Sequence, residues 1–184
     1  GTGEALDPLV APMYDGERFL ASMGIYIFNT EVLGELLYSD KSDFGKDIIP
    51  EAIDRYKVYS DVYEGYWKDI GTIRSFWETN LSLTDPVPEF SFYDREIQIY
   101  THMRYLPPSK INACSLERCL LSEGCIVSGK HIKHSIIGIR AVVGDGSVIE
   151  DSVIMGADYY AMDDDREGPA MGIGCNSVIK NAIV

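Results

Sequence analysis

Residues 120–150 read LLSEGCIVSGKHIKHSIIGIRAVVGDGSVIE, and the spacing of their aliphatic residues decides the fold. Leu120, Ile126 and Ile132 stand six apart; after a one-residue slip Ile137, Val143 and Ile149 stand six apart; Ile173 and Ile179 repeat the interval. A helix repeats every 3.6 residues and a strand every 2, so a period of six belongs to neither. Small or polar residues fill the gaps (Ser122, Gly124, Ser128, Gly129, Gly144, Gly146, Ser147). This is the pattern of a left-handed parallel β-helix, whose triangular coils take three hexads and point one aliphatic residue per side into the core.

The repeat starts near Cys114 and is interrupted at about 155–172, where Asp158-Tyr159-Tyr160 and the run Asp163-Asp164-Asp165-Arg166-Glu167 are too polar and aromatic for a coil wall. That stretch is expected to loop out, with the solenoid resuming at Gly172. Ile183-Val184 falls within the apolar pattern, and a solenoid needs a terminal cap, so a further coil is expected.

Upstream the pattern mixes strand and helix. Gly24 to Phe28 reads as a strand, and Asn29 or Thr30 can cap a helix bearing Val32, Leu33, Leu36 and Leu37 on one face. Gly45 to Tyr56 suggests a broken helix with Pro50 near its start. Val58 to Tyr63 alternates like a half-exposed strand, and Tyr66-Trp67 begins another. Thr72 can cap a helix carrying Ile73, Phe76, Trp77, Asn80 and Leu81. Residues 86–113, with Pro86, Pro88, Pro107 and Pro108 and the aromatics Phe90, Phe92, Tyr93, Tyr100 and Tyr105, read as a packed linker. The expected division is an α/β part over 1–85, the linker, and the β-helix over 114–184.

The 184 residues carry 16 Lys+Arg against 29 Asp+Glu, a net charge of -13. Such a surface repels nucleic acid, so an anionic small substrate would need local cations or a divalent metal. No apolar run reaches membrane-spanning length and no signal-peptide pattern opens the chain, which points to a cytoplasmic protein without a membrane partner. Cys114, Cys119, Cys125 and Cys175 form no CxxC pair and read as reduced, semi-buried fillers.

Several residues have the chemistry of a site. Asp69 ends a strand-like stretch before Gly71-Thr72, where a carboxylate could hold Mg²⁺ through oxygen or cap the following helix. Ser22 and Tyr26 could present two hydroxyls to a sugar, or be satisfied polar residues of a strand. Asp43 and Phe44 could be cap and staple, or a carboxylate and an aromatic wall for a sugar. His131 and His134 could serve as a general base for acyl transfer on a β-helix, or be solvated histidines. His102 and Arg104, with Lys110, could hold an anionic effector against the acidic background.

Taken together, the strings LASMGIYIFNTEVL (20–33), DFGKDIIP (43–50), YWKDIGTIRSFWETNLSL (66–83), IYTHMRYLPPSK (99–110), HSIIGIRAVV (134–143), EDSVIMGADYY (150–160) and GIGCNSVIKNAIV (172–184) resemble the glucose-1-phosphate adenylyltransferase family. The resemblance implies the closing portion of a Rossmann-like α/β nucleotidyltransferase domain followed by a left-handed β-helix. It implies an enzyme that makes ADP-glucose and pyrophosphate from ATP and glucose 1-phosphate with Mg²⁺. By the same resemblance Ser22 and Tyr26 contact sugar, Asp43 and Phe44 line the glucose pocket and Trp67 closes it. Asp69 matches a metal-binding aspartate, and Arg104 and His102 match a site for an anionic or nucleotide allosteric effector. A homo- or hetero-tetramer is implied.

The family's Gly-rich triphosphate loop with its Arg, its first metal aspartate and its Glu-Lys pair have no counterpart in these residues. The expectation is therefore a fragment that is inactive by itself. A regulatory or catalytically silent subunit of the same family is the main alternative, and a hexapeptide-repeat acyltransferase the other.

Overall fold

The computed structural model describes residues 21–96, 98–160 and 171–184. Its elements fall into two compact units, Gly1–Trp67 and Lys68–Val184.

The second unit is a solenoid of eight short strands: β1 (Lys110–Ile111), β2 (Ser115–Leu121), β3 (Ile126–Val127), β4 (His131–Ile137), β5 (Val142–Val143), β6 (Val148–Glu150), β7 (Val153–Ile154) and β8 (Val178–Lys180). Every pairing is parallel. Three inward columns follow from the registers: Val127, Val143 and Ile173; Ile132, Ile149 and Ile179; Leu121, Ile137 and Ile154. Val127, Ile132, Ile137, Val143 and Ile149 lose essentially all contact with solvent. A parallel coil cannot bury its aliphatic row alone, so each gains its core only from the coil above or below.

The coil length corrects the sequence reading. Paired residues are offset by 16 or 17 (Ile111, Val127, Val143; Ile132, Ile149) rather than the 18 of three full hexads. Five-residue intervals, as from Val127 to Ile132 and Ile132 to Ile137, cut across the corners. The inward phase in the first coil is therefore Leu121 and Val127; Leu120 and Ile126, which the six-residue count selects, are only half-buried.

One corner explains how the chain turns so tightly. Arg118, His134, Asp151 and Asn181 stack there, all with positive φ of 45° to 51°. Asp, Asn and His tolerate this left-handed conformation better than most residues. The position after each corner is small: Cys119, Ser135, Ser152 and Ala182. The serines form a ladder. Ser135 Oγ donates to Lys133 O (2.7 Å) and accepts from Ser152 N (3.1 Å), while Ser152 Oγ donates to Glu150 O (2.6 Å) and accepts from Ala182 N (3.2 Å). Fully buried hydroxyls are thereby satisfied in both roles.

Helix α3 (Ile73–Ser82) belongs to this unit and packs on β4 and β7. It begins with Thr72 as cap, as the sequence suggests, and Ser75 completes a capping box, Thr72 accepting from Ser75 N while Ser75 accepts from Thr72 N. Between α3 and β1 the linker has no regular element among its described residues, and it is less packed than its aromatics suggest. Phe90 meets Phe92 edge-on at 5.4 Å, but Tyr93, Tyr100 and Tyr105 are more than four-fifths exposed. Ordering concentrates at the solenoid end, where Leu106 reaches the Gly124 turn and Ser109 Oγ donates to Ser122 O. Of the expected loop at 155–172, the described roots are strapped to the coils: Ala157 N donates to Ile139 O and Tyr160 Oη to Gly124 O. Residues 161–170, with the acidic run, lie outside the described residues.

The first unit is built on α1 (Thr30–Leu37), a π-type turn (Phe44–Ile48) and α2 (Ile49–Arg55), whose first turn holds Pro50 as expected. Leu36, Ile48 and Ala52 are buried, with Phe28, Val32 and Tyr56 packed against them. Asn29 is the N-cap of α1 by backbone position, without a side-chain bond. The strands expected at Gly24–Phe28, Val58–Tyr63 and Tyr66–Trp67 do not form: all three stretches are irregular. Among the described residues no neighbouring strand of this unit offers a ladder. Ile25 is 74% and Ile27 98% exposed, so alternation alone has nothing to pair with. The expected Rossmann-like sheet is thus not seen in these residues.

The thiols are free: Cys125 is buried, Cys114 and Cys119 half-buried, and Cys175, contrary to the semi-buried reading, exposed. Burial pushes the first three thiols up, which leaves them weak nucleophiles. No helix of the described residues is long and apolar enough to cross a membrane.

Candidate functional site

Four of the expected residues gather in the first unit. The chain makes a tight turn at Gly24 (φ 72°), where Gly24 N donates to Ser22 Oγ at 3.2 Å. The turn brings Ser22 Oγ to 2.8 Å from Tyr26 Oη, so the two hydroxyls share one edge. The Tyr26 ring lies parallel to Phe44 (centroids 6.1 Å apart, planes 14° apart), and Phe28 closes the group edge-on to Phe44 at 6.1 Å. Tyr26 and Phe44 are each 37% exposed, so the cluster keeps an open aromatic face beside a pair of hydroxyls.

Asp43 completes it. The carboxylate caps the π-type turn, Oδ1 accepting from Lys46 N at 2.9 Å, while its carbonyl accepts from Asp47 N and Ile48 N. The cap reading of Asp43 holds, and the residue is followed directly by Phe44 of the aromatic cluster. Phe28 is the member the sequence reading missed. Its signal was the alternation Tyr26, Phe28, which sends both rings to one side of an extended chain. Trp67 is half-exposed.

Asp69, His102 and Arg104 lie in the second unit, and all three are exposed. Asp69 is not the cap of α3, since Thr72 and Ser75 fill that role. Its Oδ1 accepts from Gly71 N at 2.9 Å, forming a short side-chain turn that fixes the carboxylate just ahead of the helix. His102 and Arg104 stand in the irregular linker.

The β-helix histidines are both half-buried within β4 but differ in surroundings: His134 sits at a corner with Nδ1 2.6 Å from Asp151 Oδ1, and His131 stands in register between Ser115 and Val148. A further apolar hollow of about 200 Å³ opens at the root of the 155–172 segment, bordered by Arg140, Ile154, Tyr159, Met171 and Ile173. It is distant in chemistry from a sugar site, and Arg140 there donates to Ala157 O.

A tight hydroxyl pair against stacked aromatics can bind a polar ring with one apolar face. A fixed exposed carboxylate can contribute to a divalent cation; among the described residues no three His, Cys, Asp or Glu converge on one point. Comparison with protein families gives two matches in chain order. Residues 11–86 match the family described as nucleotidyl transferase. Residues 104–184 match that described as the GLGC left-handed parallel β-helix domain.

Proposed function

By its architecture, a nucleotidyl transferase segment followed by a GLGC left-handed β-helix, the chain belongs to the glucose-1-phosphate adenylyltransferase family, and we propose that it serves an enzyme forming ADP-glucose and pyrophosphate from ATP and glucose 1-phosphate. The observation that carries the sugar assignment is the Ser22, Tyr26 and Phe44 cluster. Ser22 and Tyr26 hydroxyls exchange hydrogen bonds with sugar hydroxyls, and the Phe44 ring takes the apolar face of the sugar. Asp43 Oδ1 is engaged by Lys46 N–H, so Oδ2 is the oxygen that accepts from the sugar. Trp67, half-exposed, covers the ligand.

Asp69 fits a Mg²⁺ role. The Gly71 N–H holds Oδ1, the carboxylate is exposed, and Mg²⁺ is commonly held by one or two carboxylates together with substrate phosphates. When bound, such an ion offsets charge developing on the phosphates during displacement. The chemistry asks chiefly for alignment of the sugar phosphate oxygen with the α-phosphorus of ATP, and the sugar cluster supplies the orienting contacts on one side. His102 and Arg104 are the cations proposed to meet an anionic allosteric effector. A cytoplasmic homo- or hetero-tetramer is part of the same reading.

The 184 residues contain no Gly-rich triphosphate loop, so the chain alone is expected to form no ADP-glucose from ATP, glucose 1-phosphate and Mg²⁺. Turnover by the purified chain overturns that expectation. In an enzyme completed with that loop, Asp69→Asn is expected to lower kcat by orders of magnitude with the fold intact. Tyr26→Phe should raise KM for glucose 1-phosphate about ten-fold, the worth of one good hydrogen bond. Near-normal turnover of Asp69→Asn would remove Asp69 from the site.

A further inference from the structure

Helix α3 starts four residues after Asp69 and is tied to the solenoid at two points on the same corner column. Trp77 Nε1 donates to the carbonyl of Asp151 at 2.9 Å, reaching across 74 positions of sequence. Past the helix, Asp85 pairs with the guanidinium of Arg118. Arg118, His134 and Asp151 are successive rungs of that column. The Asp151 rung is itself held firmly: its side chain meets His134 Nδ1 at 2.6 Å and its N–H donates to Lys133 O. At the other end of α3, the capping box and the Asp69 to Gly71 bond join the carboxylate to the first helical turn.

We propose that Trp77 and Arg118 are positioning residues: through α3, the corner column of the solenoid fixes where the Asp69 carboxylate stands. The coupling rests on the reading of Asp69 given above, but its structural half does not. A helix of ten residues is short enough to fray when its docking is lost, because most helical stability in proteins comes from tertiary packing. Two polar ties to one rigid column set both the azimuth and the axial position of α3, which apolar packing by itself would leave free to slide. The solenoid thereby acts on the turn without contributing an atom to it.

Hydrogen exchange on the 184-residue chain tests the structural half. Trp77→Phe removes the indole donor while keeping a smaller aromatic ring, and Arg118→Gln releases the second tie from the far side without touching the helix packing, so one variant remains informative if the other folds poorly. Trp77→Phe should speed exchange of the Phe76 to Leu81 amides on the order of five-fold, the net worth of one hydrogen bond, Arg118→Gln, which releases a solvent-screened ion pair, about two-fold, and both should leave the amides of Ile132 and Ile149 unchanged. Unchanged α3 exchange in both variants overturns the proposal.

In the completed enzyme, Trp77→Phe should raise the half-saturating Mg²⁺ concentration several-fold and leave KM for glucose 1-phosphate unchanged. A uniform loss of active protein would move neither. If Asp69→Asn is inactive yet Trp77→Phe leaves Mg²⁺ dependence untouched, positioning is refuted. If Asp69→Asn is fully active, the fault lies in the reading of Asp69, and the exchange result still decides whether the column holds α3.

Discussion

Two neighbouring residues of β3, Val127 and Ile126, give opposite answers depending on whether the six-residue count or the observed register sets the inward face. Val127 is fully buried, stacked between Ile111 and Val143; Ile126 is half-buried. Val127→Ala removes two carbons, about 1.6 kcal/mol of transfer free energy at about 0.8 per carbon. The rungs above and below cannot collapse into the gap without breaking their own pairing, so a cavity cost brings the total to about 2–3 kcal/mol. Ile126→Ala removes three carbons, but from a position already partly in water, and should cost about 1 kcal/mol. The smaller deletion is thus the more damaging. Urea unfolding of each variant, followed by far-UV circular dichroism and converted from midpoint and slope, measures both. If Ile126→Ala costs as much as Val127→Ala or more, the register drawn from the strand pairings is wrong.

Three further outcomes follow. Ser152→Ala strips the hydroxyl that accepts from Ala182 N and should cost about 1–3 kcal/mol in the same assay, because a buried N–H loses its partner; Ser152→Cys, the residue already present at Cys119 on this ladder, should be milder. Gly138→Ala would place a methyl 2.5 Å from the backbone carbonyl of Met155, a contact no side-chain rotation relieves, and should abolish cooperative unfolding of the solenoid in calorimetry. In the first unit, Lys41 and then Arg55 hold the Glu51 carboxyl below its ordinary 4.5. A depressed folded pKa means the stabilisation is complete above that ordinary value and lost as pH falls through the lower folded one. Helicity of α2 should therefore decline below about pH 4.5, and Glu51→Gln should erase that step in an acid titration.

The solenoid could be read from the chain because its period is a property of local sequence: Ile132, Ile137, Val143 and Ile149 are inward as counted. The phase at Leu120 and Ile126 could not, since Leu120-Leu121 and Ile126-Val127 are adjacent aliphatic pairs and hydrophobicity does not say which member turns inward, whereas Gly138 stands six after Ile132 and so the slip to Ile137 shows. At the stacked positive-φ corner, only Asp151, Asn181 and His134 are residue types that suggest the turn. The Thr72 cap and Pro50 were legible for the same local reason. The strands of the first unit were not realised because a strand is a relation between two stretches, and alternation specifies only one of them. The candidate cluster is half legible: the residue types of Ser22, Tyr26, Asp43 and Phe44 point to it, but their mutual contacts depend on the Gly24 turn and the π-type turn. The docking of Trp77 on Asp151 O had no sequence signal, because the acceptor is a backbone atom common to all residues.

The same corner column has a consequence for how this fold can change. From Arg118 to His134 and from His134 to Asp151 the chain takes 16 and 17 residues per circuit, but from Asp151 to Asn181 it takes 30, and the ladder closes over the excess without loss of step: Glu150 still faces Lys180, and Val153 still faces Ile183. Lengthening a closed loop from 17 to 30 residues costs only about 0.5 kcal/mol in chain entropy. The side between Ile154 and Ile173 is therefore an open socket, a place where evolution or an engineer can graft a new segment onto a wall that keeps its own count.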